Sequence, residues 1–179
     1  MKKLFIVFEG ADGSGKTSLA KEIAKTFKVG YTHNDKCYNY NDGLMKSYNY
    51  INELEEMDSC VIDRLVHTGE GIYAPIYRGY NGSNYFANLE EKMMERFDML
   101  IVYVQADDEV IEKRLEERGE DYINFEDIKK IKENYINYLQ NTKIPHIIYT
   151  NNKEGIEYNT HKLSLLILGA VGKHFTNNK

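Results

Sequence analysis

The chain has 179 residues, a net charge of −5, a pI near 5.6, two cysteines and two prolines. That length suits one domain with a real core. The acidic balance, without a run of basic residues, argues against a nucleic-acid groove, and the two cysteines argue against a disulfide framework.

In chain order, Leu4-Phe5-Ile6-Val7-Phe8 is an apolar run of strand length. Gly10-Ala11-Asp12-Gly13-Ser14-Gly15-Lys16-Thr17 follows, a complete G-x-x-x-x-G-K-[ST] phosphate loop. Leu19, Ile23 and Phe27 then recur at helical spacing, with the helix ending near Gly30. Strand, glycine loop and helix together form an anion nest at a helix N-terminus. Gly10, Gly13, Ser14, Gly15, Lys16, Thr17 and Ser18 are therefore expected on the phosphates of a nucleoside triphosphate. Lys16 reaches the β- and γ-phosphates, and the Thr17 hydroxyl ligates Mg²⁺.

Tyr31-Thr32-His33 is expected to be a short strand, residues 34–43 a loop, and Leu44 to Glu56 a helix. Cys60-Val61-Ile62-Asp63 is a short buried strand ending in a carboxylate, the pattern of a Walker-B acid held near Mg²⁺. Arg64 follows it and can clamp a phosphoryl oxygen. The stretch from Leu65 to Asn84, interrupted by Gly69, Gly71, Pro75, Gly79 and Gly82, is expected to be a helix fragment and loops over a site. Phe86, Leu89, Met93 and Phe97 mark a helix, and Met99 to Val104 a buried strand of the parallel-sheet kind.

Asp107, Asp108 and Glu109 open the next helix, which Arg114 and Arg118 close before Gly119. Asn124 with Asp127 opens another, His146 to Tyr149 is a last strand, and a helix ends the chain. The longest apolar stretch, Leu163 to Val171, has about half the length needed to cross a bilayer. With no signal-peptide pattern at the start, a reducing cytoplasm is the expected location. The alternation predicts one α/β domain over residues 1–179, a P-loop NTPase three-layer sandwich. It has about five parallel strands, helices on both faces and a small lid at about 114–124.

Phe8-Glu9-Gly10-Ala11-Asp12-Gly13-Ser14-Gly15-Lys16-Thr17 resembles the F-E-G-x-D-G-x-G-K-T opening of thymidylate kinases. Asp63-Arg64 resembles their D-R motif. Arg114 and Arg118, followed by Gly119-Glu120-Asp121, resemble the arginine-bearing lid of nucleoside and nucleotide kinases. The segment from Thr68 to Gly79 is similar to thymidylate-kinase-like proteins of bacteriophages. The resemblance implies ATP as donor with Mg²⁺, Asp12 near the acceptor sugar, Asp63 and Arg64 at the metal and acceptor phosphate, and a homodimer. Where the family carries Arg-Glu-Pro after the second strand, and deoxynucleoside kinases a Glu-Pro, this chain has His33-Asn34-Asp35.

Arg114 and Arg118 share one helical face and can swing onto the phosphates, with Arg118 the nearer to the lid loop. Tyr73, Tyr77, Tyr80, Tyr85 and Phe86 crowd the acceptor stretch, where Tyr73 is a candidate to touch substrate and Arg78 to grip an acceptor phosphate. Glu9 is placed beside the substrate, ordering the loop or water near Mg²⁺. His33 and His67 lack metal spacing. A nucleoside hydroxyl needs a carboxylate base, whereas a monophosphate needs cationic clamps. Arg64 and Arg78 favour a (deoxy)nucleoside monophosphate, thymidylate-like, with Lys16, Asp63, Arg64 and Arg118 as the catalytic set. Three alternatives stay open: a deoxynucleoside kinase with Asp35 or Glu70 as base, a kinase acting on a hydroxyl of DNA, and a non-catalytic ATP-binding switch.

Overall fold

A computed structural model describes residues 2–81, 83–119, 124–152 and 155–177, without the side chains of 83–87 and 173–177. The strands are β1 (Leu4–Glu9), β2 (Gly30–His33), β3 (Cys60–Asp63), β4 (Asp98–Gln105) and β5 (His146–Thr150). The helices are α1 (Lys16–Phe27), α2 (Tyr40–Glu56), α3 (Val66–Tyr77), α4 (Ser83–Arg96), α5 (Asp108–Arg118), α6 (Phe125–Asn141) and α7 (Ile156–Asn177).

All strand pairings are parallel, in the order β2-β3-β1-β4-β5. Alternate residues of a strand point to opposite faces, so β1 feeds two cores. Phe5 and Val7 join Ile62, Ile101 and Tyr103 beneath α2 to α6, while Ile6 and Phe8 join Leu19, Ile23, Val102 and Leu163 beneath α1 and α7. This is the five-stranded, three-layer P-loop sandwich expected of the sequence.

Two elements differ from expectation. α2 begins inside the expected loop, at Tyr40, because the Asn39 side chain caps it by accepting the Asp42 amide at 3.0 Å. α3 is one continuous helix despite Gly69, Gly71 and Pro75. It is buried on nearly every side, through Val66, His67, Thr68, Glu70, Ile72, Tyr73 and Ala74, so packing outweighs its poor propensity. Pro75 falls in its last turn, where the missing N–H leaves one carbonyl, that of Gly71, without its helical donor.

The strand ends converge where the site lies. Phe8 is level with Asp63 on one side and Val102 on the other, and Asp63 is level with His33. β1 is therefore flanked by β3 and β4 at the point where strand order reverses, the crevice in which open α/β sheets bind ligands.

Candidate active site

The phosphate loop leaves β1 through Gly10, where φ is +151° and a Cβ would come within 2.2 Å of the Val104 carbonyl. Any side chain there would part the loop from β4. Gly15, with φ +83°, occupies the N-cap of α1 without a side-chain cap, so the first amides of the helix stay available to an anion. Arg114 Nη1 reaches the carbonyls of Gly13 and Ser14 at 3.3 and 3.2 Å, and its Nη2 reaches that of Asn151 at 2.9 Å. Asn151 Nδ2 donates to the Ser14 carbonyl at 2.8 Å. With loop carbonyls tied outward, the amides are held ready for phosphate.

Lys16 is buried with its Nζ 3.3 Å from Asp63 Oδ1, and Asp63 is fully buried. Tyr31 donates its hydroxyl to Asp63 Oδ2 at 3.1 Å, and His33 Nδ1 stands at 3.1 Å from the same oxygen. Burial by itself would lift the Asp63 carboxyl. The Lys16 ammonium, the Thr17 hydroxyl and the His33 imidazole outweigh it and hold the carboxyl below its usual value.

Asp63 Oδ1, although beside Lys16, receives no hydrogen bond. No group of three or more metal-ligating side chains occurs among the described residues. A buried carboxylate oxygen in want of a partner, next to a threonine hydroxyl, fits Mg²⁺. That ion is usually held by one or two protein oxygens, with substrate phosphates and water completing the octahedron.

Arg64 has φ +70°, a left-handed conformation that costs a non-glycine residue of order 1 kcal/mol. It is held there by its N–H bond to the Phe8 carbonyl at 2.9 Å and by Asn34 Nδ2, which donates to the Arg64 carbonyl at 2.7 Å. The guanidinium stands 5.0 Å from the Tyr73 ring centroid and 3.7 Å from Asp12 Oδ1. Its Nε is buried without a hydrogen-bond partner. Gly69 makes room for it, since a Cβ there would lie 3.0 Å from Arg64 Cδ.

Two cavities flank the loop. One, of about 680 Å³, is lined by Gly15, Ser18, Arg114, Arg118, Asn151 and Ile156, among others. The second, of about 490 Å³, is lined by Asp12, Asn34, Asp35, Arg64, Tyr73 and Arg78, with Glu70 and Tyr77. Arg118 borders both.

The expected residues thus divide. Lys16, Thr17 and Asp63 meet at the loop; Ser18, Arg114 and Arg118 line the first cavity; Asp12, Arg64, Tyr73 and Arg78 line the second. Glu9 lines neither. It is fully buried, its Oε1 accepting the Leu65 amide at 2.8 Å and its Oε2 the Tyr135 hydroxyl at 2.9 Å. Burial lifts its carboxyl above the usual value against those bonds and Arg64. It braces β1 against α3 and α6.

Lid positions 120–123, with Glu120 and Asp121, lie outside the described residues, as do the side chains of Tyr85 and Phe86. Asn151, Asn34 and Tyr31 were missed as site residues. Asn34 stood in the departing triplet after β2, whereas Asn151 carries no motif.

Residues 6–134 match the family AAA_18, described as an AAA domain. The chain belongs to this family. The SPbeta prophage-derived uncharacterized protein YorR of Bacillus subtilis is 30% identical over 138 residues, spanning 76% of this chain and 82% of YorR. The crystal structure of YorR in complex with phosphorylated GDP superposes with a TM-score of 0.74 and 25% identity, covering 93% of this chain and 97% of that one. A "Probable thymidylate kinase" of Picrophilus torridus is 29% identical over 186 residues, covering 87% of this chain and 90% of the relative. Deoxyadenosine kinase from M. mycoides with bound dATP shares the fold, with a TM-score of 0.61 at 18% identity over 92% of this chain and 98% of that one. The architecture is that of P-loop nucleotide and nucleoside kinases. Among the described residues, no helix is long and apolar enough to cross a membrane.

Proposed function

We propose that the protein is a nucleotide kinase that transfers the γ-phosphoryl group of Mg·ATP to a (deoxy)nucleoside monophosphate, with a thymidylate-like acceptor favoured. One observation carries this reading. Arg64 lies in the cavity beside the phosphate loop as a mostly buried cation whose Nε lacks a hydrogen-bond partner and whose ion pair with Asp12 is loose, at 3.7 Å. Asp12 and the Tyr73 ring compensate this buried cation only in part, and an acceptor phosphate supplies a closer anionic partner where a nucleoside does not.

Phosphoryl transfer asks mainly for positioning and charge stabilisation. Lys16 and the amides of residues 13–18 hold the donor β- and γ-phosphates at the mouth of α1. Thr17 and Asp63 would hold Mg²⁺, which when bound neutralises charge on the phosphate oxygens. Arg64 orients the acceptor phosphate, and Arg118, between the cavities, lies where charge spreads during transfer. A phosphate monoester is largely dianionic at pH 7, so no general base is required. The first cavity takes the donor and the second the acceptor. A homodimer belongs to the same reading through the thymidylate-kinase resemblance, and light scattering tests it.

ADP release with Mg·ATP against each deoxynucleoside monophosphate, each deoxynucleoside and a short DNA duplex tests the reaction. Turnover on monophosphates and none on nucleosides is the expected result. A GTP arm is included because YorR holds phosphorylated GDP. A deoxynucleoside kinase is the second reading, favoured by Asp35, a carboxylate that lines the acceptor cavity. Turnover on nucleosides alone would establish it.

A further inference from the structure

β2 carries two side chains that no phosphate or metal pattern in the sequence claims, Tyr31 and His33. They are two residues apart on the strand and so share one face of the sheet. His33 is level with Asp63 and Tyr31 with Val61, which brings both side chains to the Asp63 carboxylate. The Tyr31 hydroxyl donates to Asp63 Oδ2 at 3.1 Å, and His33 Nδ1 makes an ion-pair contact with the same oxygen, also at 3.1 Å. An ionised carboxylate accepts and never donates, so the hydrogen between His33 and Asp63 belongs to Nδ1. His33 Nε2 stands 3.9 Å from the exposed Asp35.

The other oxygen of Asp63 is treated differently. Oδ1 has Lys16 Nζ at 3.3 Å and takes no hydrogen bond. One carboxylate therefore has an engaged oxygen toward β2 and an open oxygen toward Lys16. The terminal torsion of aspartate is broad, so nothing intrinsic to the residue fixes which way its oxygens turn. Two donors on Oδ2 do fix it. Without them the group is free to turn and hydrogen-bond the Lys16 ammonium, which takes Oδ1 from an incoming cation. Strand pairing does not call for these contacts, because β2 is already joined to β3 by a backbone ladder over Gly30–His33.

We propose, building on the assignment of Asp63 to Mg²⁺ above, that Tyr31 and His33 are positioning residues for that ion. By engaging Oδ2 they keep Oδ1 open for Mg²⁺ or one of its waters. His33 acts through Asp63 and is no ligand itself. Partners that orient a ligating carboxylate commonly govern about 10- to 100-fold of metal affinity.

The test is calorimetric binding of the non-hydrolysable β,γ-imido analogue of ATP to the full chain, in Mg²⁺ and in EDTA. It needs neither acceptor nor turnover. The wild type is expected to bind about tenfold or more tightly in Mg²⁺. In the double variant His33→Ala/Tyr31→Phe the ratio of the two affinities is expected to come within about threefold of unity, with affinity in EDTA held within about twofold. His33→Asn, whose amide donates in place of Nδ1, is expected to keep the wild-type ratio within about twofold. His33→Leu, of similar bulk without a donor, is expected to lower it about fivefold.

A Mg²⁺-dependent wild type whose ratio survives in the double variant overturns the proposal and leaves the metal site standing. Equal affinity of the wild type in Mg²⁺ and EDTA removes the metal from this site, and the proposal with it. A double variant that also loses affinity in EDTA makes Tyr31 and His33 props of the loop, which likewise overturns it. The GTP analogue is run in parallel; if neither analogue binds, the donor site and the proposal fall together.

Discussion

The two sides of the phosphate loop are built differently. On the donor side the polar groups that shape the loop are tied to main chain: Arg114 to the carbonyls of Gly13, Ser14 and Asn151, and Asn151 Nδ2 to that of Ser14. On the acceptor side Arg64 Nε and the Tyr73 hydroxyl are buried without hydrogen-bond partners. Ser14 Oγ and Asp63 Oδ1 are buried without hydrogen-bond partners as well, but the loop carbonyls are already engaged, so in the proposed reading donor phosphates meet amides held in place before they arrive. In the same reading the acceptor brings the partners that Arg64 and Tyr73 lack, which would put selectivity on its side.

Lys16→Met strikes the point both sides share and is expected to have the largest effect. Removing a cation that faces the transferring group should cost turnover about 10³-fold, read as ADP release. Arg64→Met separates the sides. For a monophosphate acceptor, kcat/KM should fall about 10²-fold, while calorimetric affinity for the donor stays within about twofold. A comparable loss of donor affinity would show that the two cavities are one site.

Gly69→Ala sharpens the contrast between stability and function. Alanine is worth about 1 kcal/mol over glycine inside a helix, so the melting temperature should hold or rise. Its Cβ, 3.0 Å from Arg64 Cδ, should displace the guanidinium by a few tenths of an ångström and raise acceptor KM about tenfold.

Behind the acceptor wall, α3 is fastened to α4 and α6 through Glu90. This carboxylate pairs with His67 Nε2 at 3.2 Å and accepts the hydroxyls of Tyr138 and Thr142 at 2.6 and 2.7 Å. Burial would raise the Glu90 carboxyl, but His67, Thr142 and Tyr138 outweigh it and hold it below 4.5. A depressed carboxyl contributes stability that is full above its unfolded value and is lost as pH falls through its folded value. Glu90→Gln should therefore cost about 2 kcal/mol above pH 4.5 and progressively less below it, measured by urea unfolding across that range.

The asymmetry between the sides also governs what the sequence alone discloses. The donor side is contiguous: strand, glycines, Lys16 and the first turn of α1 occupy one short stretch, and Gly119 ends α5 in the left-handed conformation its position implied. Asp63 at the end of an apolar run was equally visible. The acceptor side is assembled from distant parts. Glu70 and Arg78 are eight residues apart across a helix whose glycines and proline suggested a break. Gly69 is there to admit Arg64, a reason that exists in three dimensions and leaves no periodicity. Tyr135 reaches Glu9 across 126 positions. Asn151, like Tyr135, belongs to no motif, and its part in holding the loop appears once β5 is placed beside β4.

The most direct test compares thymidylate with thymidine, which differ by the phosphate alone, in calorimetric binding to the wild type and to Arg64→Met. Thymidylate should bind the wild type about 100-fold more tightly, and that advantage should shrink to a few-fold once Arg64 is replaced. Equal affinities of the wild type for the two, or an advantage that survives the substitution, would contradict the assignment of a monophosphate acceptor to the Arg64 cavity.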